Sequence, residues 1–406
     1  MYDVAIIGAG PSGSYTAYLL AKKGYNVILL DRQKEPDPEI GYHVGYPTVA
    51  SSGLSRKDGV VCTGIVSKEA FKRFLLPEDT IIDNISSVSF ISPYGEKFRY
   101  EHSSIFAYIL DRSSLDFSLL KQVLKKGITF LPGCNVEDLK IKKDYTEIYY
   151  RCNGKFQCKQ SESIKARVSV IATGLNLFLL NKTGLKGPQD FLIGAQVETN
   201  FDGSDEVEIY LGNKVAPKSF AWVVPLGNGR ARIGLSMKGD AISYLRNFLK
   251  TPSIKERLRE GKSEIKCRPI PFGPAQRTYG LRIVSVGDAA GQVKTTTGGG
   301  IYYGLIGAEI AAQTLCEALD KGDLIPSTLK VYEKRWREIL GSEINIGIRL
   351  REIYAMLGDR KIDHLIKIAN SDGIAPLIKN KARFDWQKRF FHSLLSKPII
   401  KRILET

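Results

Sequence analysis

Two common ways of stapling a small core are missing from this sequence. It has no CxxC pair, and its four histidines do not accompany cysteines at ligand spacing, which argues against a zinc site or any other resident metal. The six cysteines, at 62, 134, 152, 158, 267 and 316, are scattered along the chain, which argues against a disulfide scaffold. Cys152 and Cys158 flank Asn153-Gly154; in a two-residue hairpin Cys158 would face Tyr149, so these two are not expected to bond. Apolar runs of membrane-spanning length are missing too, since residues 168–180 and 301–319 are interrupted by Gly, Thr, Asn or Glu. Repeats and low-complexity tracts are absent from the sequence. Acidic residues fall short of basic ones, 43 against 59, leaving a formal charge of +16. That excess suits either an acidic partner or an anionic surface and identifies neither; a lysine-rich solvated surface is the plain alternative. Nucleic acid is not expected among the partners.

What is present begins at the second residue. Val4, Ile6 and Ile7 form a short apolar run that reads as a buried parallel strand, and Gly8, Gly10 and Gly13 complete GxGxxG around Pro11 and Ser12. The first glycine permits the tight turn, the second lets backbone approach a pyrophosphate, and the third lets the next helix pack close to the strand. A helix over 14–23 would aim its free N–H groups at that pyrophosphate. The following strand, 25–30, ends at Asp31, an acid at the distance where such folds hydrogen-bond a ribose. A fold strand starting this early leaves no room for a signal peptide, so a cytoplasmic protein is expected.

Further along, a loop rich in glycine and proline runs from Arg32 to 60, of a length that is usually functional or mobile. The pattern predicts a helix over 68–76, a hairpin about Pro93-Tyr94-Gly95, and a helix after Asp111 capped by Ser113 or Ser114. Residues 146–160 read as an Asn-Gly hairpin, and 168–174 as a second buried strand returning to the nucleotide sheet and ending in Ala172-Thr173-Gly174. From 194 to 237 the pattern changes to antiparallel strands, with Gly227-Asn228-Gly229 as a turn. Residues 279–286 return to the first sheet, Gly287-Asp288 follows, and Gly298-Gly299-Gly300 opens a long helix at Ile301. Beyond Pro326 the chain reads as helical.

These separated pieces resemble the FAD-dependent oxidoreductases of the p-hydroxybenzoate hydroxylase type and, within them, the geranylgeranyl reductase family. The resemblance implies an α/β fold: a Rossmann-like FAD-binding domain of the glutathione reductase and p-hydroxybenzoate hydroxylase type, an antiparallel β-sheet substrate lobe, and a C-terminal helical region. The FAD-binding domain would take residues 1–75, 106–180 and 276–325; the lobe would take a hairpin at 76–105 and the strands of 181–275; the helical region would take 326–406. It implies that Gly8, Gly10, Pro11, Ser12 and Gly13 hold the pyrophosphate of FAD, that Asp31 and Arg32 meet its adenosine half, that Arg112 lies along its pyrophosphate and ribityl region, that Asp288 hydrogen-bonds the ribityl chain, and that Ala172, Gly174 and Gly287 complete the site. Gly287 to Tyr303 is similar to the reductases' second flavin motif, with Thr295 where they carry proline. By that likeness Gly291, Gly298, Gly299, Gly300 and Ile301 bring backbone N–H groups and a helix dipole to the ring. Val61-Cys62-Thr63-Gly64-Ile65 resembles the family's cysteine loop near the flavin. The PxxYxWxFP signature of the substrate lobe reads Pro217-Lys-Ser-Phe220-Ala-Trp222-Val-Val224-Pro225 here, with Phe for Tyr and Val for Phe, so the tyrosine hydroxyl is lost.

The implied reaction saturates double bonds of geranylgeranyl chains. An isolated alkene accepts hydride poorly, so protonation must accompany or precede transfer; Trp222 and Phe220 are the aromatic faces expected to ease positive charge, no residue announces itself as the acid, and Cys62 with a water held by it is the candidate to test. Without a second GxGxxG, the electron source is either transient NAD(P)H or an acidic ferredoxin or flavodoxin. Residues 348–354 also resemble the reductases. The basic segment 376–404, with Trp386, Phe390, Phe391, Leu394 and Leu395 on one helical face, suits contact with an anionic inner membrane surface. Packing of that face on the protein is the alternative. Rival readings on the same scaffold are an aromatic monooxygenase or halogenase, whose WxWxIP has the spacing of Phe220 to Pro225, and an electron-transfer flavoprotein reducing a quinone.

Overall fold

The computed structural model describes residues 1–33, 61–74, 76–152, 161–203, 205–261, 263–370 and 383–398. The chain divides into two compact units, each assembled from three sequence segments: 1–45, 112–191 and 271–344 in the first, and 46–111, 192–270 and 345–406 in the second.

The first unit is built on a mostly parallel sheet in the order Tyr279–Gly280, Ile283–Ser285, Glu162–Ile171, Tyr2–Ile7, Val27–Leu30 and Thr129–Leu131. The strand at its centre, Tyr2–Ile7, is parallel to both neighbours, Glu162–Ile171 and Val27–Leu30. Val4, Ala5, Ile6 and Ile7 are all buried, as befits a strand covered on both faces. The helix Pro11–Lys22 begins with proline in its first turn and packs against Arg112–Leu124 and Ile301–Asp320. Proline is tolerated there because the missing N–H would be unpaired anyway. Arg112–Leu124 starts at Arg112 itself, so Ser113 and Ser114 lie within its first turn and neither is the cap expected from sequence. The first turn is held instead by the buried Arg112–Asp116 pair one turn apart.

Two antiparallel strands, Cys134–Ile141 and Thr146–Cys152, extend this sheet from Glu162–Ile171. Here two expectations are corrected. Tyr149 faces Ser163, not Cys158, so the pairing is not that of a two-residue hairpin; Asn153, Gly154 and Cys158 lie outside the described residues. Cys134 stands directly opposite Cys152 across the ladder, and the two form a disulfide. Reading cysteines by their distance along the chain missed this pair, because the strand register, not the sequence, brings them together.

The second unit holds a seven-stranded sheet in the order Lys266–Pro271, Phe191–Asn200, Arg230–Met237, Phe220–Pro225, Val207–Leu211, Ser87–Ile91 and Lys97–Glu101. All the pairings recorded for it are antiparallel except Val207–Leu211 with Ser87–Ile91. Strict alternation divides its faces. Ala221, Val223, Ile233 and Leu235 pack with Leu245 and Phe248 of the helix Ala241–Leu249. Trp222, Val224 and Val207 pack with Ile85, Ala107 and Ile109 of a small sheet formed by Ile65–Ser67, Ala107–Leu110 and Ile81–Ile85. Among the described residues no helix is long and apolar enough to cross a membrane. The basic C-terminal segment is described from 383 to 398 only; there the helix Lys388–Leu395 buries none of its residues.

Candidate functional site

In the first unit, the glycine turn is dictated by crowding. Gly8 has φ +108°, and a Cβ on it would lie 2.4 Å from the Ala172 carbonyl oxygen; a Cβ on Gly13 would lie 1.9 Å from the Gly8 carbonyl oxygen. Gly10 differs, since among the described residues a Cβ there meets no atom within 4 Å beyond its chain neighbours. Gly10 is also the cap residue of the helix and makes no side-chain cap bond. A glycine that the protein's own packing does not require, in front of N–H groups at a helix start, fits an anion approaching from outside.

Asp31 closes the same turn. Its Oδ2 accepts from the Ala9 N–H (2.6 Å) and its Oδ1 from the Gln33 N–H (2.8 Å). Burial pushes the carboxyl above its ordinary value, against the opposing pull of the two N–H bonds. Arg32 is exposed. The Arg112 guanidinium donates through Nε to Asp116 (2.9 Å), and both residues are buried. Ala172 and Gly174 are half-buried at the end of the returning strand.

The second motif lies in the same unit. Gly287–Ala290 is a single 3-10 turn ended by Gly291 in the left-handed region. Beneath it, Gln292 Oε1 accepts from the Gly287 N–H (2.8 Å), Gln292 Nε2 donates to the Tyr332 hydroxyl (2.8 Å), and that hydroxyl donates to the Ser285 carbonyl (2.7 Å). Helix Ile301–Asp320 fits over this network because Gly307 leaves room for the Gln292 amide, and Gly304 leaves room for Ser12. Asp288 is half-buried, with its Oδ1 2.8 Å from where a Gly300 Cβ would stand. Lys294 donates from its backbone to the Gly299 carbonyl (3.0 Å), which folds 294–299 into a loop ahead of Ile301. The side chain of Thr295, the departure from the family's proline, donates to the Ile344 carbonyl (2.8 Å).

The second unit brings the cysteine loop onto the signature sheet. Gln196 Nε2 donates to the Cys62 carbonyl (3.2 Å). Arg232 Nη1 donates to the Thr63 carbonyl (3.0 Å) and the Leu110 carbonyl (3.1 Å), while its Nε donates to Glu198 (2.7 Å). Gly64, with φ +76°, sits so close that a Cβ would lie 2.6 Å from Arg232 Nη1. Cys62 is half-buried, and its Sγ accepts from the Gly64 N–H at 3.4 Å. Trp222 lies almost wholly in the core, at 6% exposure, with its ring against Gly234 and 6.1 Å from the half-buried Phe220 ring. Pro225 ends the strand and is buried. Arg351 packs over Phe220 and donates to Ser219 Oγ (3.0 Å); burial pulls its guanidinium down to about 10.

Sequence reasoning gave no role to Gln196, Arg232, Gln292 or Arg351. One signal was available for Arg232: alternation along 230–237 puts a cation on the same face as Gly234 and Ser236, where a strand residue needs a buried partner.

The family model for "FAD dependent oxidoreductase" matches residues 3–41, and that for "Geranylgeranyl reductase catalytic domain" matches residues 191–265. A digeranylgeranylglycerophospholipid reductase of Methanothermobacter thermautotrophicus is 30% identical over 93% of this chain and 94% of its own length. The chain belongs to the geranylgeranyl reductase family of FAD-dependent oxidoreductases. This reductase-family fold is also that of a geranylgeranyl bacteriochlorophyll reductase-like protein from Thermoplasma acidophilum, with a TM-score of 0.82 at 21% identity over 100% of this chain and 98% of that one. A flavin-dependent brominase shares the scaffold more loosely, with a TM-score of 0.66 at 16% identity over 97% and 98% of the two chains. Within the geranylgeranyl reductase family, then, this member is an FAD-dependent enzyme whose catalytic-domain match covers the strands Phe191–Asn200, Val207–Leu211, Phe220–Pro225 and Arg230–Met237, which carry Gln196, Trp222, Arg232 and Gly234.

Proposed function

We propose that this enzyme reduces carbon–carbon double bonds of geranylgeranyl chains carried on an isoprenoid glycerophospholipid. The observation that carries this reading is the near full-length likeness to a reductase named for that lipid. FAD, when bound and reduced, would supply the two electrons as a hydride, and the proton comes separately. The chain's part is to hold the cofactor and manage charge and protons around the alkene. Gly8, Gly10, Pro11, Ser12 and Gly13 would receive the pyrophosphate, Asp31 and Arg32 the adenosine half, and Arg112, Ala172, Gly174, Gly287 and Asp288 the remainder. Gly291, the run Gly298-Gly299-Gly300 and Ile301 would meet the ring, along with Cys62, Thr63 and Gly64. The open space at Gly10 and the uncapped helix start are the features that fit this group.

Positive charge developing at a trisubstituted carbon would be eased by the faces of Phe220 and Trp222. Cys62, through its thiol or a water held by it, would supply the proton. Electrons reach the cofactor from NAD(P)H or from an acidic ferredoxin or flavodoxin steered by the +16 charge. The basic helix near Trp386 provides peripheral contact with the inner face of the cell membrane.

The test is anaerobic. The flavin of the purified protein is photoreduced, digeranylgeranylglyceryl phospholipid is added, and flavin reoxidation is followed while the lipid is weighed by mass spectrometry. Reoxidation with mass gains in steps of two hydrogens is expected. Flavin that stays reduced with lipid, yet reoxidises with a quinone or with oxygen and an aromatic substrate, would overturn the reading in favour of electron transfer or oxygenation.

A further inference from the structure

Three strands of the second unit place a donor and an acceptor on either side of a missing side chain. Trp222 stands opposite Gly234 on one ladder, and Gly234 stands opposite Gln196 on the next. Directly opposed residues share a face, so Trp222, Gly234 and Gln196 form one row. Gly234 leaves its place in the row open, and the indole fills part of it: the Cε2 atom, which bears Nε1, lies 2.7 Å from where the glycine's Cβ would be. Trp222 Nε1 and Gln196 Oε1 are both buried, and neither reaches a hydrogen-bond partner among the described residues. The two residues are 6% and 4% exposed.

Which end of the Gln196 amide faces the row is fixed by its other contact. The amide meets the Cys62 carbonyl at 3.2 Å, and of the two ends of an amide only the nitrogen can donate to a carbonyl, so the oxygen is the end left unengaged. The other two indoles underline the contrast. Trp336 donates to Thr278 Oγ1 (3.1 Å) and Trp386 to Glu69 Oε1 (2.8 Å).

We propose that Trp222 Nε1 and Gln196 Oε1 together form a buried binding site for a single hydroxyl group, held by water in the resting protein. A hydroxyl is the small group that accepts from an indole N–H and donates to an amide oxygen through one atom. Burial of both protein groups makes such a partner costly to do without. Because the same glutamine grips the Cys62 carbonyl, the hydroxyl is tied to the cysteine loop through one side chain. The site stands whether or not the lipid-reductase reading does.

The test reads the indole N–H resonances of isotopically labelled protein, three in all, with that of Trp222 assigned by its disappearance in Trp222→Phe. Cross-relaxation of this resonance with water, of the sign given by a bound molecule, is expected. Gln196→Met should abolish that signal, move the Trp222 resonance upfield and speed its solvent exchange about tenfold, the factor carried by one ordinary hydrogen bond. An unmoved Trp336 resonance reports that the variant is folded. Geranylgeraniol is then added as a hydroxyl-bearing probe: replacement of the water signal by one to the alcohol assigns the site to a ligand hydroxyl, and its persistence assigns it to water. A Trp222 indole that shows contact with neither water nor alcohol, and the same shift in Gln196→Met, overturns the proposal.

Discussion

Replacing Arg232 by methionine should free the cysteine loop from the signature sheet while leaving the sheet intact. Methionine approximates the length of the arginine stem but offers no donor, so the Thr63 and Leu110 carbonyls each lose a charged partner. Hydrogen bonds from a charged group contribute about 1.5–3 kcal/mol apiece. Thr63 is half-buried, and water would recover much of its share; Leu110 is fully buried, and its share is lost. The Glu198 pairing adds little, because that carboxylate is 39% exposed and such pairs contribute about 0–1 kcal/mol. The net loosening is therefore about 3 kcal/mol, or roughly a hundredfold in the population of the open loop. Amide hydrogen exchange reads this directly. The Leu110 N–H donates to the Gly64 carbonyl, so exchange at Leu110 should rise by that factor, while amides between Phe191–Asn200 and Arg230–Met237 keep their protection. Arg232→Lys should fall between, since one ammonium cannot reproduce the fork. Protection at Leu110 within about threefold of the parent in Arg232→Met would refute the clamp.

Two other outcomes follow from the geometry. Gly10→Ala should leave the melting temperature of flavin-free protein unchanged, because among the described residues its Cβ meets no atom within 4 Å beyond its chain neighbours, yet reduce flavin retained through purification, read from visible absorbance. Gly13→Ala should destabilise the flavin-free protein itself, by about 1–3 kcal/mol or more through overpacking; equal behaviour of the two variants would contradict the crowding argument. Burial alone would raise the Glu206 carboxyl, but hydrogen bonds from Ser89, Arg99, Ser87 and Lys97 outweigh it and hold the group at about 2 against an ordinary 4.5. A lowered folded-state value stabilises above the ordinary one and is lost as pH falls through 4.5 towards 2. The melting temperature of Glu206→Gln should thus lie below the parent's at pH 7 and converge with it as the pH is lowered across that window.

What could be read from sequence was local. Strand, glycine turn, helix and Asp31 follow one another within the first 31 residues, and each constrains its neighbour. Alternation at 220, 222 and 224 likewise gave the face of the signature strand, now seen packing Trp222 and Val224 into one core. What escaped was set by distant segments. Arg232 acts on a loop 169 residues earlier in the chain, and Gln196 on one 134 residues earlier; neither spacing carries a period. The disulfide escaped for the same reason at shorter range: Cys134 and Cys152 meet through a ladder with a bulge near Tyr149, so counting residues could not align them. The caps expected at Ser113 and Ser114 failed because the helix begins at Arg112, ahead of both serines.

The interleaving of the two units along the chain governs how this protein can be made and cut. During synthesis Tyr2–Ile7 can find Val27–Leu30 at once, but its other neighbour, Glu162–Ile171, emerges only after more than a hundred further residues. Folding is therefore dominated by late, long-range closure. The same weave means that the segment 191–265, matched as a catalytic domain, is not a severable one. Expressed alone it would lack Ser87–Ile91, the strand that completes the ladder beside Val207–Leu211, and would present that strand as a bare edge open to aggregation.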